Sequence, residues 1–301
     1  MSRIRIGISG WQYAGWRGVF YPPKLAHARE LEFASRAVQS IEINGSHYSL
    51  QRASSFQRWH DATPEGFLFS VKGPRFLTHM LRLEGERVPT AIANFFASGI
   101  LNLRSKLGPI LWQFPPNLKF KPEVLEAFLE RLPRDTFAAA ELATGHDARV
   151  KDPCVTADRK RPLRHAVEIR NPSFCQERFI RMLRKFGAGL VVSHAQADWP
   201  YVEDVTAGFV YLRLHGPETL YGGQYSDEAL DRWAARIRAW TDGREPQDAQ
   251  RISAKPPRRR SQRDVFCYFD NDQKVRAPFD ALRLMERLEI PAHGSKPVLS
   301  R

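Results

Sequence analysis

Cysteine is scarce in this chain: there are three in 301 residues, Cys154, Cys175 and Cys267, far apart and without a CxxC spacing. That argues against a disulfide framework or a structural zinc cluster as the basis of the fold. No apolar run approaches the roughly 18–20 residues of a membrane span, so no membrane partner is expected. The start, MSRIRIGISGW, lacks the apolar stretch of an export signal, which makes a reducing cytoplasm the expected compartment. A glycine-rich dinucleotide turn is missing as well, because Gly7, Gly10 and Gly15 do not make GxGxxG. Negative charge is in deficit, with 33 Asp+Glu against 46 Lys+Arg and a net charge of +13. Such a balance raises nucleic acid or another polyanion as a partner.

The positive surplus is unevenly placed. Seven Lys/Arg against three Asp/Glu fall between Asp242 and Arg263, including Arg258-Arg-Arg260, and the stretch from Gly145 to Arg164 is similar. Both are poor in periodic apolar residues and read as exposed, flexible loops.

What the chain does have is a repeating alternation. Eight short apolar segments recur: Ile4–Ser9, Ser40–Asn44, Phe67–Lys72, Ile110–Phe114, His165–Arg170, Leu190–His194, Phe209–His215 and Val265–Asp270. Amphipathic stretches lie between them. From Ser226, Leu230, Trp233, Ile237 and Trp240 share a stripe, with Asp227 and Glu228 in the first turn where the helix dipole favours them. Phe179, Ile180, Leu183 and Phe186 make another stripe, closed by Gly187 as a C-cap. Phe279, Leu282, Met285 and Leu288 make the last. Strand and helix alternating eight times over this length predict an α/β fold, a single (β/α)8 TIM-type barrel, with residues 1–301 as one domain. Both basic stretches precede a strand, which puts them at the N-terminal face of such a barrel.

Strand residues in a barrel point alternately inward and toward the helices. Strand two offers Glu42 and Asn44 against Ile41 and Ile43. Strand five offers Glu168 and Arg170 against Val167 and Ile169, and strand seven Tyr211, Arg213 and His215 against Val210, Leu212 and Leu214. The apolar sets suit the helix-facing side, so the polar sets are expected inside. Strand three adds Ser70 and Lys72, strand four Gln113 and strand six His194, while strand eight ends in Asp270-Asn271-Asp272. These residues gather toward the carboxyl ends of the strands, where barrel enzymes carry their sites. A self-satisfied ion-pair plug of Glu42 or Glu168 with Lys72, Arg170 or Arg213 is the bland alternative. Burying charge on so many strands is costly unless each group is paired.

Lys72, Arg170 and Arg213 supply fixed positive charge suited to phosphate or carboxylate oxygens. His79, His194 and His215 can move protons near neutrality. Glu42 and Glu168 are candidate general bases. With His215 they form the expected catalytic set. Lys72, His79, Gln113, Arg170, His194, Arg213, Asn44 and Asn271 are expected to bind substrate. Trp11 and Tyr48, on the loops after strands one and two, are candidate stacking walls, and Trp199 follows strand six. No cofactor is called for. A divalent metal is a weaker option, because three cations in one mouth repel it. The glycine-bearing segment Gly216–Ser226 could contact phosphate or act as a lid hinge.

The chain resembles the DUF72 (YecE-like) family of functionally uncharacterised barrel proteins over residues 6–284. The resemblance rests on Gly7-Ile-Ser-Gly-Trp11 with Trp16 and Phe20-Tyr-Pro22, on Ile41-Glu-Ile-Asn44 with Tyr48, and on Phe69-Ser-Val-Lys72 with Thr78-His79. It continues through Gln113-Phe-Pro-Pro116, Val167-Glu-Ile-Arg170, Tyr211-Leu-Arg-Leu-His-Gly216 and Tyr268-Phe-Asp-Asn-Asp272. It implies a (β/α)8 barrel and names no reaction. Where the family usually has Thr-Phe-Tyr and Pro after the Glu-x-Asn motif, this chain has Ser46-His-Tyr48 leading to Gln51. Where it has His and Trp after Glu-x-Arg, Asn171 and Phe174 stand here.

Three functions compete. One is an enzyme acting on a phosphate-bearing or other anionic substrate, including nucleic acid. The second is a sugar or sugar-phosphate enzyme. The third is a non-catalytic nucleic-acid binder that uses the basic stretches 145–164 and 242–263. The stretches lie opposite the polar mouth, so net charge alone does not argue for chemistry on nucleic acid.

Overall fold

The computed structural model describes residues 4–272 and 275–293. Eight parallel strands close into a barrel in sequential order. They are β1 (Ile4–Ser9), β2 (Ser40–Ile43), β3 (Leu68–Lys72), β4 (Leu107–Gln113), β5 (His165–Glu168), β6 (Gly189–His194), β7 (Phe209–Leu214) and β8 (Asp264–Phe269). Each of the eight expected segments is a strand, and the chain folds as a single (β/α)8 barrel. Strand β4 starts at Leu107, earlier than the expected Ile110. Its register against β3 shifts between Phe69 and Val71, next to Pro109, where a residue without an N–H cannot extend the ladder.

The helices are α1 (Glu30–Ala37), α2 (Gly45–Tyr48), α3 (Ala53–Ala62), α4 (Arg87–Ala97), α5 (Pro122–Arg131), α6 (Thr136–Ala143), α7 (Glu177–Phe186), α8 (Asp227–Thr241) and α9 (Arg276–Arg287). Helix α8 starts where its sequence says: the Ser226 hydroxyl accepts from the Ala229 N–H. Helix α7 ends at Gly187, which is left-handed with φ 64°. In α9 the buried face differs from the expected stripe. Ala277, Ala281, Leu284 and Met285 pack on the barrel, while Phe279 and Leu282 are only partly covered. The two alanines let the helix approach closely, and a stripe counted from large side chains passes over them. No helix among the described residues is long and apolar enough to cross a membrane.

Strand parity sorts the side chains. Ile8, Ile41, Ile43, Val71, Trp112, Val167, Leu212 and Cys267 face the helices in the main core. Inside the barrel, Leu111, Ala166, Val191, Phe209 and Phe266 fill the lower part, with Tyr211 and Tyr268 above them. The two phenols meet serine hydroxyls, Tyr211 at 2.7 Å from Ser70 Oγ and Tyr268 at 2.8 Å from Ser40 Oγ. Gly7 on β1 is forced by space, because a Cβ there would lie 2.1 Å from the Ser40 carbonyl oxygen.

The two basic stretches enter at the N-terminal ends of β5 and β8, and they are bonded to the body. The Cys154 N–H donates to the Ala97 carbonyl, and the Thr136 N–H to the Arg161 carbonyl. The Ile252 and Ser253 N–H groups donate to Asp204. Arg164 pairs with Asp264 and lies over the Phe266 ring, tying the two stretches together.

Candidate functional site

At the carboxyl ends of the strands the floor of the barrel mouth is built around one guanidinium. Arg213 Nε and Nη2 donate to the two oxygens of Glu42 at 3.1 and 2.9 Å. Nη1 donates to Glu168 Oε2 at 2.8 Å, and Nη2 also reaches Asp270 Oδ2 at 2.9 Å. Glu42 is completed by the Ser9 hydroxyl at 2.8 Å and the Tyr211 hydroxyl at 2.6 Å. Asn44 Nδ2 donates to Ser9 Oγ at 2.8 Å. Arg213, Glu42 and Glu168 are almost wholly buried, so these bonds offset a large desolvation cost. Burial alone would raise the Glu168 carboxyl, but Arg213 and Arg170 overcome it and hold it well below its ordinary value. Asp270 is likewise brought down to about 2, against its burial, by Arg213 and His215. A carboxylate held that low is a weak base, so the geometry makes Glu168 a fixed counter-ion.

His215 stands inside this network. Its Nε2 is 3.4 Å from Glu168 Oε1, and its Nδ1 is 3.0 Å from Asp270 Oδ2 but off the line a hydrogen bond needs. The rings of Trp199 and Tyr221 cover it, at 5.5 and 5.6 Å between centroids. Arg170 donates twice to Glu168 Oε1, both at 3.1 Å, and its guanidinium lies 3.7 Å over the Trp199 ring.

The rim is different. Lys72, at the inward-facing end of β3, is 7% exposed, and its ammonium makes no hydrogen bond or ion pair among the described residues. Burial, and then the like charge of Arg213, bring it down to about 8, with Glu42, Glu168 and Asp270 pulling the other way from a distance. His79 sits on the same side, lowered to about 4 by burial and by Arg75, Lys72 and Arg170. Its Nδ1 is 2.8 Å from Thr78 Oγ1, and its ring is 5.1 Å from that of His47. His47 is lowered to about 3 by burial and by Lys72, and its Nδ1 donates to the Gly73 carbonyl at 2.8 Å. This β3–β5 side is therefore cationic, with neutral imidazoles. Across the mouth, beyond β8, half-buried Asp272 is raised to about 6 by burial and by Asp270, while accepting from the Trp16 indole.

Of the residues expected to form the site, Glu42, Asn44, Lys72, Glu168, Arg170, Arg213 and His215 do converge, and Gln113 is buried at the inward-facing end of β4. Others do not join them. His194 faces the helices: its Nδ1 is 2.9 Å from the Tyr225 hydroxyl and its ring packs on Trp233 of α8. Inward-facing Val191 on β6 makes Ser193 the inner residue and turns His194 out. Asn271 also faces outward, donating to the Gly223 carbonyl at 2.9 Å and to Asp280 Oδ2 at 2.8 Å, which fastens the segment after β7 to α9. In that segment Gly216 adopts φ 119°, and a Cβ there would meet the Gly222 carbonyl at 2.1 Å, so its glycine is needed for folding the loop onto itself. Trp11 is buried against Trp59 and Phe69 on the helix side, and Tyr48 is 70% exposed.

Ser9, Tyr211, Asp270 and Asp272 belong to the candidate site and are not among the expected binding or catalytic residues. Parity on β1 and β7 points to the first two. Asp272 stands in the polar run that ends strand eight, but its raised carboxyl comes from burial and from Asp270, against the Trp16 indole that donates to it, and burial of that kind is not written in the local sequence. Among the described residues no group of three or more His, Cys, Asp or Glu side chains is disposed to hold a metal ion, since the carboxylates here converge on Arg213.

A family model described as "Protein of unknown function DUF72" matches residues 5–300. The UPF0759 protein YunF of Bacillus subtilis is 33% identical over 125 residues, a stretch covering 40% of this chain and 43% of that protein. This chain thus spans under half the length of that curated relative. The crystal structure of a DUF72 family protein from Thermotoga maritima superposes with a TM-score of 0.70 at 24% identity, covering 95% of this chain and 99% of the other. One from Enterococcus faecalis gives 0.67 at 16% identity over 99% and 98%. These likenesses concern the fold.

Proposed function

The chain belongs to the DUF72 family, whose description carries no activity, and from the chemistry of its barrel mouth we propose that it binds and acts on a phosphate-bearing or otherwise anionic small molecule there. The observation that carries this reading is Lys72. Its side chain is largely buried, and its ammonium has only solvent to meet among the described residues; desolvating a charge without a protein partner is costly, and an anionic ligand would offset that cost. Arg213 cannot take this role, because three carboxylates already occupy its donors. Arg170 is pinned to Glu168 through Nε and Nη2 and lies beside the Tyr221 hydroxyl, and it lends the site positive charge next to Lys72.

The same geometry separates holding charge from moving protons. Asp272, with its carboxyl near 6, exchanges a proton close to neutrality. His79, lowered to about 4, is a neutral imidazole at pH 7 and can hydrogen-bond a ligand without adding charge. Glu42, saturated by Arg213, Ser9 and Tyr211, orients the guanidinium.

Thermal shift with inorganic phosphate and a series of phosphorylated small molecules tests this, since a ligand of the folded state raises Tm by mass action. Stabilisation of the natural chain, weakened by salt and absent in Lys72→Met, is expected. Equal stabilisation of Lys72→Met would overturn the reading.

A further inference from the structure

Beside the mouth, between the segments that follow β1 and β2, lies a cleft of about 240 Å³. Pockets for drug-sized ligands run to about 300–1,000 Å³, so this one has room for a single ring. Every residue lining it is uncharged: Trp11, Gln12, Tyr13, Asn44, Gln51 and Trp59, with Gly10, Ile43 and Gly45 between them. In a chain with 26% charged residues, directly beside a mouth crowded with ions, that is a sharp change of chemistry.

We propose that this cleft is a subsite for the uncharged, hydroxyl-bearing part of the ligand, a single sugar-like ring whose phosphate lies at Lys72. The inference rests on the anion-binding reading of the mouth for the second half of that ligand. Three primary amides, Gln12, Asn44 and Gln51, offer donors and acceptors together, which suits hydroxyl groups that are themselves both. Trp11 and Trp59 meet edge to face at 5.3 Å and provide an apolar wall for the carbon face of a ring.

Asn44 gives the sharpest pointer. The Ser9 hydroxyl has one proton, and it goes to Glu42 Oε1. Asn44 must therefore present its NH₂ to Ser9 Oγ, which fixes which way the amide faces. Its Oδ1 is left buried with no partner among the described residues, an acceptor that lacks a donor. A ligand hydroxyl supplies one.

Cleft and mouth share one hydrogen-bonded framework. Asn44, Ser9, Glu42 and Arg213 form one hydrogen-bonded chain. Ser46, next to Gly45 of the cleft, donates to the Lys72 carbonyl at 2.7 Å. A small sugar phosphate can thus place its ring and its anion on two parts of one framework.

The test is calorimetric titration of the full chain with inorganic phosphate, butyl phosphate, ribose 5-phosphate, glucose 6-phosphate and free ribose. At least one sugar phosphate is expected to bind about ten-fold more tightly than inorganic phosphate or butyl phosphate, the gain that one or two added hydrogen bonds produce. Trp59→Ala and Gln51→Ala are expected to remove that gain and leave phosphate affinity unchanged. Because Trp59→Ala removes packing, the Gln51→Ala variant guards against a misfolded result. Sugar phosphates binding no more tightly than butyl phosphate, or a gain that survives both variants, would overturn the subsite. Ribose binding that depends on Trp59 and Gln51, with no phosphate binding at all, would support the subsite and end the reading of the mouth.

Discussion

Arg213 and Lys72 both end inside the barrel, on β7 and β3, and both are largely buried, yet among the described residues one is met by three carboxylates and the other by none. The floor around Arg213 is the self-satisfied ion-pair plug: Glu42, Glu168, Asp270, Tyr211 and Ser9 leave its donors occupied. The rim around Lys72 has cations and neutral imidazoles in excess of nearby anions. Buried ion pairs by themselves argue weakly for function, since a saturated network can serve packing and orientation alone. Lys72, nearly as buried but without a carboxylate partner among the described residues, has no such network to account for it, and the proposed anion would supply one. On the proposed reading, ligand binding accordingly sits at the rim and the floor has a supporting part.

Removing either cation should separate the two regions, and in opposite directions. Arg213→Met leaves three buried carboxylates without their common partner. A loss of about 3–5 kcal/mol in denaturant unfolding is expected, the usual result of breaking a buried pair on one side. A near-neutral result would mean that the floor is wetter and looser than the network implies. Lys72→Met should do the reverse and stabilise the unliganded protein at pH 7 by on the order of 2 kcal/mol. The sign follows from the lowered ammonium. The folded state bears the full cost below about pH 8 and sheds it as pH climbs toward the ordinary lysine value of 10.5. The advantage of Lys72→Met should accordingly fade across that interval, and an advantage that does not depend on pH would refute the argument.

Smaller effects sharpen the boundary. Tyr211→Phe removes one of the bonds to Glu42 and is expected to cost about 1.5 kcal/mol, with phosphate binding retained; lost binding would show that floor and rim are not separable. Asp272→Asn should stabilise by about 1 kcal/mol at pH 7, discounted for partial exposure. The gain should vanish below about pH 3.8, because the raised carboxyl weakens the fold as pH rises from 3.8 through 6. Last, Arg258→Ser with Arg259→Ser, both exposed at the far end of the barrel, should change stability by less than about 0.5 kcal/mol and leave phosphate affinity untouched.

Much of this was legible in the sequence, for a definite reason. Where a strand alternates polar and apolar residues, as β2, β5 and β7 do, the period states which side chains meet, and Glu42, Glu168 and Arg213 meet as that pattern says. Strand β6 runs Gly-Leu-Val-Val-Ser-His without such a contrast, and a shift of one residue exchanges the two faces. That is why His194 was expected inside and lies outside. On β8 the signal was present, since Phe266, Tyr268 and Asp270 share the inner face, and Asn271 must then turn away. Which charges pair is a matter of distances across the barrel, and no single strand encodes them. The freedom of Lys72 is visible only once every carboxylate around it is seen to be taken.

The Arg170 guanidinium sits over the Trp199 ring, 3.7 Å from its centre. If the proposed anion meets this guanidinium, the indole held against it is an optical reporter built into the mouth. Occupancy at the rim should therefore change the intrinsic fluorescence of the protein, and Trp199→Phe should silence that change without abolishing binding, so that titrations can be followed by emission before any reaction is known.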